Sequence, residues 1–357
     1  MPTDYEQQLF ELLETVARQN ASDLHLSAGR VPTLRVDGSL VPLSKRNVLN
    51  SDDTRAFADV ILNEEKKKFL QENRAVDISY SYKNIARFRV NAYYQFNTIS
   101  IALRFIPSEI RSLEELNLPE VLHDFTRYQQ GLVLVTGPAG HGKSTTLAAL
   151  IDEINQKRTE HVITIEDPIE YIFSQNRAII DQREVGRDTP SFAVALRDSF
   201  RQDPDIIMLG EMRDRDTIST AITAAETGHL ILATLHTNNA AQTIDRIIDT
   251  FPPEQQSQIR SQLALTLAGV ISQRLIPRIE GGRVPAVEVL MAGSAVRNLI
   301  REGKIHEIAL SIETGADQGM ISLNRYLADL VKKGDISMES AEHYSLNTGE
   351  LRMIMNR

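Results

Sequence analysis

The segment GPAGHGKS, Gly137 to Ser144, fits the spacing G-x-x-x-x-G-K-[ST] of a phosphate-binding loop. It lies where that chemistry needs it, after the apolar run LVLVT and before STTLAALIDEI, which reads as a helix. Glycines in such a loop let backbone N–H groups wrap a β-phosphate, and the helix N-terminus adds a favourable dipole. Lys143 would supply charge toward the β- and γ-phosphates of ATP, and Ser144 a hydroxyl ligand to Mg²⁺. The expected nucleotide contacts are Gly137, Pro138, Ala139, Gly140, His141, Gly142, Lys143, Ser144 and Thr145. His141 fills a free position of the loop and is given no chemistry of its own.

Phosphoryl transfer to water needs more than a cradle: a carboxylate linked to the metal, and a group that orients or deprotonates the water. Two strand ends offer carboxylates. DIIMLGEMRD closes on Glu211, and VITIEDPIEY closes on Glu166 and Asp167. In a parallel sheet all such ends share the edge that holds the phosphate loop. On the residues alone the roles of Glu166 and Glu211 are interchangeable. A third strand, in TGHLILATLHTNN, has His229 before it and His236 at its end. His229 could sense a γ-phosphate or orient a carboxylate.

These residues require a frame. From Gly131 onward, apolar runs (GLVLVTG, HVITIED, DIIMLGE, HLILATLHT) alternate with helix-length stretches, which predicts a parallel sheet covered on both faces. The final hundred residues read as helical, with LALTLAGVISQRL, SAVRNLIREGK and SLNRYLADLVKK the clearest segments. Upstream the pattern differs. An amphipathic helix opens the chain, with Thr3 and Glu6 as a capping box and Leu9, Leu12, Leu13 and Val16 on one face. DLHLSAG and TLRVDGSLVPL follow as strands, with a hairpin turn at Asp37-Gly38, and residues 75 to 106 read as a three-stranded meander. The expected organisation is an α+β domain over 1–106, a linker over 107–119 and an α/β ATPase domain with a helical C-terminal region over 120–357.

The length of 357 residues suits two such domains. Residues 1–106 hold 14 basic and 13 acidic residues, and the remainder 25 basic against 35 acidic. Binding to nucleic acid rests on phosphate neutralisation, so the acidic second half argues against a nucleic-acid translocase. The absence of cysteine excludes disulfides, thiolate zinc sites and cysteine nucleophiles. No apolar run is long enough to span a bilayer, and MPTDYEQQ lacks the pattern of a signal peptide, so a cytoplasmic location is expected.

Four motifs in order carry a resemblance: GPAGHGKSTT as Walker A, TIEDPIEY as an aspartate box, DPDIIMLGEMRD as an atypical Walker B, and TGHLILATLHTNNAAQTIDRIID as a histidine box. With SDLHLSAG and RFRVNAYYQ near the N-terminus, they make the chain similar to the secretion ATPases of type IV pili and type II secretion, above all to the pilus retraction ATPases of the PilT family. The resemblance implies a PAS-like first domain, a RecA-like P-loop ATPase domain and a homo-hexameric ring. It implies that Glu166 activates water and that Glu211 is the Walker B acid near the metal, with Gly210 where many P-loop proteins carry an aspartate. It also implies, as partners, an inner-membrane pilus platform protein and a paralogous retraction ATPase, with the ring peripheral at the cytoplasmic face of that membrane.

Ring ATPases also need positive charge delivered to the γ-phosphate by a neighbour. Alternation in ARFRVNA puts Arg87, Arg89 and Asn91 on one face, and ISIALRF sets Arg104 opposite Ile99, Ile101, Leu103 and Phe105. The family uses arginines of this region, which singles out Arg89 and Arg104. SAVRNLIREGK resembles the AIRN motif of retraction motors, with Val296 in place of isoleucine; a plain amphipathic helix would bury Val296, Leu299 and Ile300 and leave Arg297 and Arg301 in solvent. The lack of a tetracysteine module favours retraction over extension. The accessory PilU type shares every motif, and an ATP-binding scaffold without turnover is disfavoured by the joint presence of Lys143, Ser144, Glu166 and Glu211.

Overall fold

The computed structural model describes residues 4–19, 21–36, 38–82, 86–106 and 110–356. Thr3 of the expected capping box, Asp37 of the expected turn and residues 107–109 at the start of the expected linker lie outside them. Contacts divide the chain into two units, residues 1–109 with 170–172, and residues 110–169 with 173–357.

The first unit begins with α1 (Asp4–Arg18), whose Leu9, Leu12, Leu13 and Val16 are all buried. Strands β1 (Asp23–Leu26), β2 (Thr33–Val36) and β3 (Ser39–Pro42) precede helices α2 (Ser51–Ile61) and α3 (Glu64–Asn73). Asn50 starts α2 with a full capping box, its side chain accepting from Asp53 N while the Asp53 carboxylate accepts from Asn50 N. The meander β4 (Ala75–Tyr82), β5 (Ala86–Gln95) and β6 (Thr98–Ile106) completes an antiparallel sheet ordered β3-β2-β1-β6-β5-β4. One sheet face carries Leu24, Val76, Phe88, Val90, Ile101 and Leu103 into a core shared with α1 and α2. Alternation leaves Arg104 and Arg89 on the other face.

The second unit is built on β7 (Gly131–Thr136), α4 (Lys143–Lys157), β8 (His161–Glu166), β9 (Ile179–Glu184), α5 (Phe192–Ser199), β10 (Ile206–Leu209), α6 (Arg215–Glu226), β11 (Leu230–Leu235) and α7 (Ala240–Asp249). Then come α8 (Pro253–Thr266), β12 (Leu267–Pro277), β13 (Arg283–Met291) and α9 (Ser294–Glu302). Helices α10 (Ile308–Thr314), α11 (Leu323–Lys332), α12 (Met338–Tyr344) and α13 (Thr348–Met355) close the described chain. The sheet order is β13-β12-β7-β11-β10-β8-β9, parallel except for the β12–β13 pair. Every residue of β7, β10 and β11 is buried, as strands covered on both faces require.

One expectation is corrected here. LALTLAGVISQRL is helical only as far as Thr266; from Leu267 it is β12, a buried strand paired with β7, and β13 follows it. A continuous apolar run satisfies a buried helix and a buried strand equally, and here the open edge of β7 decides in favour of the strand.

Candidate functional site

The phosphate loop connects the buried end of β7 to α4. Lys143 Nζ donates to Gly137 O and Pro138 O, both at 2.9 Å, and lies 3.4 Å from His236 Nδ1. The other ring nitrogen of His236 lies 3.6 Å from Glu211 Oε2, and the same oxygen accepts from Arg213 Nε at 2.8 Å. Lysine, histidine and carboxylate therefore form one contiguous line across three strand ends. The parallel register produces it: β7, β11 and β10 are successive neighbours, so Thr136, His236 and Gly210 leave the sheet at one edge.

The segment holding Glu211 is tied down by its backbone. Met212 N donates to Thr234 O at 3.0 Å, the Thr234 hydroxyl donates to Gly210 O, and Gly210 N donates to Ile165 O at 2.8 Å. A Cβ on Gly210 would lie 3.3 Å from Ile165 O, tighter than ordinary contact, and 3.4 Å from Glu166 Cα. The first position after β10 thus disfavours a side chain, and the acid comes one residue later.

Glu166, at the end of β8, is buried, and its Oε1 accepts from Thr164 Oγ1 at 2.7 Å and from Gln182 Nε2 at 3.2 Å. It stands three strands from β7, or about 14 Å at the usual interstrand spacing. Ser144 and Thr145 are half-buried in the first turn of α4. Asp167 is exposed.

His229 is not brought to the phosphate loop of its own chain. Leu230 pairs with Gly131 and Leu235 with Thr136, so His229 sits at the start of β11, about 20 Å from the phosphate-loop edge of its own chain. Its Nδ1 lies 3.0 Å from Ala224 O, where it closes the turn after α6. His236 is the histidine that reaches Lys143. The signal was available in the sequence: in a parallel sheet a residue after a strand lies at the loop edge, and one before it lies at the opposite edge.

In the first unit, Arg89 and Arg104 are direct cross-strand partners. Arg104 Nε lies 3.0 Å from Asp23 Oδ1 with its side chain 68% exposed, while Arg89 Nε lies 3.9 Å from Asp77 Oδ1. In α9, Val296 and Ile300 are buried as expected, but Arg297 is not left in solvent. It turns back to donate to Ala292 O at 2.9 Å and Leu267 O at 3.4 Å.

Sequence reasoning missed Gln273 and the contacts of His141. Gln273 is buried on β12, where Nε2 donates to His141 O at 2.8 Å and Oε1 accepts from Thr146 Oγ1 at 2.6 Å. His141 Nδ1 accepts the backbone N–H of Leu275 at 2.9 Å, so that nitrogen carries no proton. Burial, then the charges of Arg274, Lys143 and Arg283, hold the imidazole below its usual range.

The family model described as "Type II/IV secretion system protein" matches residues 4–283. The chain belongs to that family. It is 48% identical over 336 residues to the type IV pilus retractation ATPase PilT of Pseudomonas aeruginosa, covering 93% of this chain and 96% of that one. It is 41% identical over 346 residues to the type IV pilus ATPase PilU of the same organism, covering 97% and 90%. A crystal structure of the pilus retraction motor PilT with bound ADP superposes with a TM-score of 0.90 at 44% identity, covering 97% of this chain and 99% of that one. The chain is thus a secretion ATPase of the PilT type, with a RecA-like P-loop ATPase domain preceded by a smaller α+β domain. Among the described residues no helix is long and apolar enough to cross a membrane.

Proposed function

We propose that this secretion ATPase is the subunit of a homo-hexameric, ATP-hydrolysing motor that drives disassembly, and so retraction, of type IV pili. The observation that carries the proposal is the line Lys143–His236–Glu211 at one sheet edge, in a chain that matches PilT along nearly its whole length. The PilU resemblance supports a second reading, an accessory retraction motor, and 48% against 41% identity favours the first.

In this reading Lys143 neutralises the β- and γ-phosphates of ATP, and backbone N–H groups of the loop, Pro138 excepted, wrap them. His236, between Lys143 and Glu211, is placed to sense the γ-phosphate, the role that the sequence assigned to His229. Glu166 activates the attacking water, a role that rests on the family resemblance. Arg89 and Arg104 serve a neighbouring subunit's nucleotide, stabilising charge that develops on the γ-phosphate.

A hydroxyl and a carboxylate are hard oxygen donors that suit Mg²⁺, and Ser144 and Glu211 are the residues that would hold it. Among the described residues no group of three His, Cys, Asp or Glu could hold a metal by itself, which fits an ion bound largely through nucleotide phosphates. When bound, such an ion would neutralise charge on the phosphate oxygens.

We assign residues 1–106 to the PAS-like domain, 107–119 to a connecting segment and 120–357 to the ATPase domain. Within the connecting segment Leu113 and Leu118 are buried, and residues 110–119 group with the second unit. The ring would act in the cytoplasm, at the inner-membrane face, on a platform protein. Force would derive from different nucleotide affinities of closed and open subunit interfaces. Deleting the gene and counting surface pili tests the reading. Surplus pili that fail to retract are expected, and bald cells would overturn retraction in favour of extension.

A further inference from the structure

We infer that Gln273 is a positioning residue for the phosphate loop: it sets the peptide plane between His141 and Gly142 so that the Gly142 N–H faces the phosphate. The inference rests on the nucleotide-motor reading and deepens it.

A phosphate cradle works only if several successive N–H groups point inward. Because a trans peptide directs its C=O and N–H to opposite sides, each inward N–H requires an outward carbonyl with a partner of its own. At the loop's tip that partner is Gln273. Its Nε2 donates to His141 O at 2.8 Å, which pins this carbonyl toward β12 and turns the Gly142 N–H the other way. Its Oε1 accepts from Thr146 Oγ1 at 2.6 Å, which fixes the first turn of α4 to the same side chain.

The amide offers a donor and an acceptor side by side at the end of one rigid plane. The two partners also settle the orientation, since a carbonyl oxygen must face the NH₂ group. Gly142 has φ of +83°, and a Cβ there would lie 2.8 Å from Gln273 Nε2, so the glycine both adopts the turn and admits the amide. One residue before Gln273 on the strand, the Thr136 hydroxyl donates to Ser272 Oγ at 2.9 Å, and two residues after it the Leu275 N–H donates to His141 Nδ1. Strand β12 thus holds the loop at its start, its tip and its exit into α4.

Strand β12 flanks β7 on the side opposite β11 and β10, so Gln273 lies across β7 from the strands that carry His236 and Glu211, and it acts on binding before chemistry. The test uses the full chain with a fluorescent ADP analogue, comparing wild type with Gln273→Leu and Gln273→Glu for affinity, KM, kcat and Tm. Gln273→Glu keeps the shape and the acceptor for Thr146 but sets a carboxylate against the His141 carbonyl.

Both variants should weaken analogue binding and raise KM for ATP by about tenfold or more, with kcat changed less and Tm held within a few degrees. Wild-type affinity and KM in Gln273→Glu would overturn the inference, because a packing role survives that substitution and a donor role does not. Should Gln273→Leu fail to fold, Gln273→Glu decides alone. Wild-type protein that bound no nucleotide would overturn the motor reading together with this one, whereas wild-type binding with unchanged variants overturns this one only.

Discussion

His236 Nδ1 lies 3.4 Å from the ammonium of Lys143. With the Nε2 contact to Glu211 at 3.6 Å, the imidazole bridges the phosphate-binding lysine and the acid proposed to lie near the metal. In the proposed mechanism, a group in that position registers the state of the phosphate and transmits it to the segment after β10.

His236→Ala should therefore lower kcat by about tenfold or more, because it removes a polar group poised at the reacting phosphate. His229→Ala should leave turnover much nearer to wild type and act mainly on stability, through the lost contact to Ala224 O. Steady-state ATPase of the two variants at matched assembly checks the contrast. Equal losses would return His229 to the mechanism.

Lys143→Ala and Glu166→Gln should fail in different ways. Lys143 meets the nucleotide directly in the proposed mechanism, so its loss should abolish both nucleotide binding and hydrolysis. Glutamine at 166 retains an acceptor for the Thr164 hydroxyl, now 2.7 Å away, yet it cannot take a proton from water. Binding of a fluorescent ADP analogue should persist in Glu166→Gln while kcat falls by roughly 10²–10⁴. If Glu211→Gln rather than Glu166→Gln shows this split, the two carboxylates exchange roles.

Arg104, itself exposed, pairs with the buried carboxylate of Asp23, which also accepts the Ser22 hydroxyl at 2.8 Å. With the arginine in solvent and Asp23 still held by Ser22, Arg104→Ala should cost about 1 kcal/mol and lower Tm by only a few degrees. An arginine delivered to a γ-phosphate contributes far more to rate, and turnover of the assembled ring should drop about a hundredfold or more. Unchanged ATPase in a mutant shown to assemble would remove Arg104 from the mechanism.

Much of this arrangement was legible because the signals were local. The phosphate loop has fixed spacing, the β7, β8, β10 and β11 strands are dense in Val, Ile and Leu, and the α1 stripe repeats at helical period. What the sequence hid depended on pairing. LALTLAGVISQRL carries no periodic mark that separates strand from helix, and without β12 there was no reason to notice Gln273. His229 and His236 flank one strand, and the parallel order predicted from the sequence already sets them at opposite edges, so that distinction was legible. Arg297 reads as a solvent residue by periodicity, yet the carbonyls of Ala292 and Leu267 draw it back.

Glu288 gives the chain a pH dependence whose sign can be worked out. It sits on β13 and faces a cavity of about 240 Å³ that Glu313 and Glu350 also line. Its Oε1 accepts the Ala240 N–H at 2.8 Å, at the start of the helix that follows His236. Burial pushes its carboxyl up from 4.5 to about 7, and Glu350 adds to the rise; the Ala240 hydrogen bond and the Arg274 charge oppose it. The folded state thus binds this proton more tightly than the unfolded chain does. Stability from this group is fully present below pH 4.5, falls as pH rises toward 7, and is level above that. The shift corresponds to about 3 kcal/mol. Glutamine keeps an acceptor for Ala240 and never ionises, so Glu288→Gln should match wild type near pH 4.5 and melt progressively higher as pH approaches 8. Parallel melting curves for the two proteins across that range would show that Glu288 titrates at its ordinary value.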